Sequence, residues 1–223
     1  MIRVVVCVAT IGLTYTAVVA SAEARRHPKP WRCAPGQMRV SHEREEGARL
    51  LLADAHAEVY VTYEREGKQE REIRGCVYGH RRTYKVGSAF SGSGSGGGGA
   101  SRFVLGGTTV AGENSSYCTG CPDFTEGHSV FAIDLRTGAV QGQAVSPASV
   151  ESMVVKPDGA LAWIASSNVN TETGFHEEWV YAHDHAGTRL LAHGSNIDAS
   201  SLALAQSTIY WTQGGQPFSA ALN

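Results

Sequence analysis

Two groups of titratable side chains in this sequence have residue types that could do chemistry. In His183-Asp-His185, alternation along a strand would set both imidazoles on one side of a sheet. His176 or Glu177 would then complete a nitrogen-and-carboxylate ligand set of the kind transition metals accept. A simpler reading needs no metal. Asp184 shapes a turn, as Asp134 does 50 positions earlier with no histidine beside it, while His183 and His185 line a half-exposed strand face. The second group, Glu113, Asp123, Glu126 and His128, surrounds Cys118-Thr-Gly-Cys121. Carboxylates and an imidazole gathered on one loop suit calcium or a sugar, but their spacing matches no calcium loop, and loop solvation also accounts for them.

No catalytic residue is assigned. Gly92-Ser-Gly-Ser-Gly96 matches a nucleophile elbow by letter, yet it stands in a Gly/Ser run with no strand before it and no helix after it. The same run has no Gly-x-x-x-x-Gly-Lys pattern, so it is not a phosphate cradle. No cofactor is expected.

The elements that would position these groups are strands. Val130-Phe-Ala-Ile-Asp-Leu-Arg-Thr-Gly138 reads as a strand entering a tight turn, and Val180-Tyr-Ala-His-Asp184 repeats it 50 positions later. Lys156-Pro-Asp-Gly159 joins two further strands, since proline presets φ and glycine takes the left-handed position. First strands fall near Leu50, Phe103, Met153 and Leu202, and second-strand tryptophans at Trp163 and Trp211. A four-stranded unit recurring at about this length is the period of a propeller blade. The fold class expected is therefore all-β and β-propeller-like, with about four blades of antiparallel meanders. Met38-Arg-Val-Ser41 would complete the last blade, which otherwise ends one strand short. Residues 91–101, nearly all Gly and Ser, are expected to form a flexible insertion. Together with 112–128 and 166–177, they would project from one loop-bearing face, where binding residues concentrate.

Residues 1–22 read as a signal peptide: Arg3, an apolar run, then Ala20-Ser-Ala22. An extended leader follows at 23–37, and 38–223 forms the domain. Cys33, Cys76, Cys118 and Cys121 remain after cleavage, an even number that favours disulfides in an oxidising compartment. Cys118 with Cys121 is the simplest local pair, leaving Cys33 for Cys76. With a formal net charge of −2 and no basic stripe, nucleic acid is not an expected partner. No membrane insertion is expected once the signal is removed.

Val155-Lys-Pro-Asp-Gly-Ala-Leu-Ala-Trp163 resembles Pro-Asp-type β-propeller repeats, and Val130 to Gly138 resembles the Ile-Asp-x-x-Thr-Gly repeats of bacterial exported propellers. The chain as a whole is similar to short, exported propeller-like proteins of actinobacteria, a resemblance that implies fold and compartment and no particular activity. The function expected is that of an exported binding or scaffolding protein without catalysis, secreted or in the cell envelope, with an unknown protein or small molecule as partner. The alternative is a metal-dependent hydrolase or lyase working at the loop-bearing face.

Overall fold

The computed structural model describes residues 48–62, 72–80, 82–89, 91–93, 95–121, 125–167 and 176–223. The signal, the leader, the closing strand at Met38–Ser41, Cys33 and Asp123 lie outside the described residues. All regular structure described is β, in four antiparallel sheets taken in chain order. The first holds β1 (Ala48–Ala53), β2 (Ala57–Thr62), β3 (Glu72–Val77) and β4 (Tyr84–Ser88). The second holds β5 (Ser91–Ser93), β6 (Gly96–Gly106), β7 (Thr109–Cys118), β8 (Thr125–Asp134) and β9 (Val140–Ser146). The third holds β10 (Ser149–Val155), β11 (Leu161–Ser166), β12 (Glu178–Asp184) and β13 (Gly187–Gly194). The fourth holds β14 (Ala203–Ala205), β15 (Thr208–Gln213) and β16 (Gln216–Ala221). Each strand pairs with its neighbour in sequence, so every sheet is a meander.

The sheets stack face to face because the middle ones are apolar on both faces. In β8, Phe131 and Ile133 join the first sheet's core, while Val130 and Ala132 join a core shared with the third sheet. In β11, Leu161, Trp163 and Ala165 face the second sheet, and Ala162 and Ile164 join Ile209 and Trp211 of the fourth. Trp163 and Trp211 therefore occupy corresponding places: each stands on the second strand of its sheet and packs toward the preceding one. Strict alternation of side chains makes this two-sided use possible. The result is an all-β, propeller-like stack of about four blades.

Aspartates close the turns. Asp134 Oδ1 accepts the Arg136 N–H at 2.9 Å, Asp158 Oδ1 that of Ala160 at 3.1 Å, and Asp184 Oδ1 that of Ala186 at 3.0 Å. Gly138, Gly159 and Gly187 follow at φ of 77°, 92° and 95°, the left-handed backbone these turns require. Burial alone would raise the carboxyl pKa of Asp134 and Asp184, but hydrogen bonds and their arginines outweigh it, and both are held below the ordinary range.

Two expectations need correction. The Gly/Ser tract expected as a flexible insertion is built largely of strand: Ser91–Ser93 form β5, and from Gly96 the tract is the start of β6, paired from Gly96↔Cys118 to Ser101↔Glu113. Residues 112–128 are not one long loop either, since β7 runs to Cys118 and β8 resumes at Thr125. Backbone ladders do not depend on side chains, so a strand can form where composition signals none. Here glycine is required by close approach: a Cβ on Gly97 would lie 2.6 Å from Gly92 Cα, and one on Gly98 2.6 Å from Ser115 O. The Cys118–Cys121 disulfide forms as expected, with a Cα separation of 5.6 Å. Cys76 is also disulfide-bonded. No helix among the described residues is long and apolar enough to cross a membrane.

Candidate functional site

The extended β6–β7–β8 ladder carries three of the sequence-named residues into one place. Glu113 lies on β7, and Glu126 and His128 lie on β8, so all three are strand residues. Glu113 is 2% exposed. Its Oε1 stands 2.7 Å from His128 Nδ1 and accepts the Val150 N–H of β10 at 3.1 Å, tying the second sheet to the third. His128 Nε2 lies 3.2 Å from Glu126 Oε1. Both ring nitrogens thus face carboxylates, and both can donate at once only in the imidazolium form.

Arg102 completes the arrangement. Its Nε lies 3.7 Å from Glu113 Oε2, and its Nη2 lies 3.3 Å from Glu151 Oε1 on β10. What brings it there is a bulge. Register slips between Ser101 and Val104, two residues on β6 opposing Gly112 on β7, and Arg102 takes a φ of 51°. Bulges re-aim side chains, and a left-handed non-glycine residue costs about 1–3 kcal/mol, which the surrounding contacts must offset. Acidic and basic side chains now alternate across the cleft: Glu126, His128, Glu113, Arg102, Glu151.

Glu126, His128, Glu113 and Arg102 border a cavity of about 360 Å³ together with Ser101, Ser115, Ser116, Tyr117 and Ser149, all of them residues with polar side chains. A second, apolar cavity of about 290 Å³ opens between the first and second sheets and shares Ser101 and Arg102 with the polar one.

The other named residues are placed differently. His176 and Glu177 stand just before β12 and His183 near its end, roughly 20–23 Å away at strand rise, so they do not form one ligand set. His183 Nδ1 lies 2.8 Å from Thr188 Oγ1, and His185 falls in the turn beyond β12, outside the alternation that would align it with His183. Among the described residues no three His, Cys, Asp or Glu side chains converge as a metal set. Instead His176 Nε2 pairs with Glu178 Oε1 at 2.9 Å, and His193, stacked on Trp179, stands 3.4 Å from Glu177.

Glu178 was not foreseen, although the 50-residue period lands on it from His128, and on His176 from Glu126. The two pairs have swapped order at equivalent places in consecutive blades. Unlike His128, Glu178 has no buried partner: the strand position equivalent to Glu113 is Ile164, and Glu178 Oε2 has no hydrogen bond. Burial raises the carboxyl pKa above the ordinary glutamate value, with His176 opposing. The folded state then holds a proton more tightly than the unfolded chain. Stability should fall as pH rises from the ordinary value to the raised one, and level off above it. Glu178→Gln should flatten that decline and raise Tm at pH values above the interval. A thermal melt series across pH tests this, and a lower Tm for the variant there would contradict it.

No family model matches the chain, and no curated relative does. Among solved structures, the β-propeller domain of the Trilobed protease from Pyrococcus furiosus, described as having an open velcro topology, is similar at 10% identity and a TM-score of 0.32, covering 74% of this chain. The match extends over 64% of that chain, less than two thirds of its length.

Proposed function

We propose that this chain is an exported binding protein that seats a small molecule in the polar cavity between its second and third sheets, without catalysing a reaction. One observation carries the reading: a carboxylate buried between two sheets, Glu113, fixes an imidazole, a guanidinium and a backbone N–H around a concave polar wall. Small-molecule sites are concave and largely preformed, with a few fixed polar groups to orient the ligand. Holding is favoured over proton transfer because both nitrogens of His128 are engaged by carboxylates, leaving no lone pair directed at a substrate. Export is supported by the Cys118–Cys121 disulfide and by the second disulfide at Cys76, which belong to an oxidising compartment.

Amide and imidazole chemical-shift mapping with a library of neutral, anionic and cationic fragments tests the seat. Binding fragments should shift Arg102, Glu113, Ser115, His128 and Val150 as one group. Shifts confined to another part of the stack, or none at all, would overturn it.

A further inference from the structure

We infer that the ligand of this cavity is a neutral sugar of one or two rings, recognised through its hydroxyls. The inference rests on the reading of the cavity as the ligand seat and adds its chemistry. Anions are disfavoured because neither base is available to anchor one: Arg102 is shared between Glu113 and Glu151, and His128 between Glu113 and Glu126. Glu113, the buried carboxylate at the cavity, has Arg102 beside it, while Glu126 and Glu151 are exposed enough for water to screen them, so no desolvated negative charge is left unpaired to capture a cation. A wholly apolar ligand would strand polar groups all round the cavity, since every residue bordering it carries one.

What the wall offers in number is hydroxyls. Those of Ser101, Ser115 and Ser149 can each donate once and accept twice, the same capacity that each hydroxyl of a sugar presents in return. Tyr117 adds a ring against which the C–H face of a pyranose can lie. The half-exposed Glu126, held by His128 through Oε1, can accept ligand hydroxyls at its other carboxylate oxygen. At about 360 Å³ the cavity is near the lower end of the roughly 300–1,000 Å³ that small-molecule sites span, which sets the size at one ring or two.

The test uses the intact protein and isothermal titration calorimetry. The neutral probes are methyl glucoside, methyl mannoside, methyl galactoside and maltose, and glucuronate and glucosamine serve as charged counterparts. At least one neutral probe should bind, and glucuronate at least about tenfold more weakly, because its carboxylate meets no free basic group. Ser115→Ala removes one hydroxyl without adding bulk, and it should weaken the neutral sugar about fivefold while leaving the circular dichroism spectrum unchanged. Tighter binding of either charged probe would overturn the inference, as would unchanged affinity in Ser115→Ala or no binding of any neutral probe. If fragments map to the cavity while the sugars fail, the sugar assignment falls alone; if fragments map elsewhere, the seat falls with it.

Discussion

Replacing Trp163 by alanine should destabilise the protein by about 3–5 kcal/mol, the range for deleting a large aromatic from a packed core. Trp163 is fully buried, stacks on Tyr181 with ring centroids 5.2 Å apart, and donates its indole N–H to Ser146 Oγ of the second sheet at 3.1 Å. Its loss therefore opens a cavity in the core that joins two sheets and leaves Ser146, itself buried, without that donor. Trp163→Phe retains most of the volume and the stacking, and should cost less than half as much. Urea titrations of the three proteins decide this. A loss under about 1 kcal/mol for Trp163→Ala would mean that the second and third sheets are not held together by this core.

Glu113→Ala should be the second most damaging change, at about 3 kcal/mol, since removing one member of a buried pair strands the others. Arg102 is half-exposed and keeps Glu151, and His128 keeps Glu126, so both partners relax in part. The Val150 N–H has no such recourse, because it donates across the sheet interface to Glu113 itself. Amide hydrogen exchange at Val150 should accelerate by much more in Glu113→Ala than exchange in β12, where the ladder is untouched. Uniform acceleration at both places would show that Glu113 contributes only to global stability and does not organise the cavity.

The period of the chain was legible because local chemistry and global packing agree where it is strongest. Pro157-Asp158-Gly159 dictates its hairpin without help from the rest of the fold, and Trp163 and Trp211 mark the face each second strand turns inward. Glu113, Glu126 and His128 could be named from their types. Their setting could not, since Glu113-Asn-Ser-Ser116 is a polar run that extends β7 alongside a cavity, where no apolar alternation records the strand. Arg102 was hidden for a different reason. A bulge is a slip between two strands, and only the pairing of Ser101 with Glu113 and of Val104 with Ala111 discloses it. The supposed histidine metal set failed on length: strand rise separates His176 from His183, whatever their residue types suggest.

Everything at the cavity depends on consecutive meanders stacking so that each second-strand tryptophan packs toward the preceding sheet. Nuclear Overhauser contacts from the two indoles test this most directly. The account predicts that Trp163 reaches methyl groups of Ala132 and Ala144 in the second sheet, and that Trp211 reaches those of Ala162 and Ile164 in the third. Contacts from Trp163 to Ile209 or Leu222 of the fourth sheet, in place of the second, would contradict it.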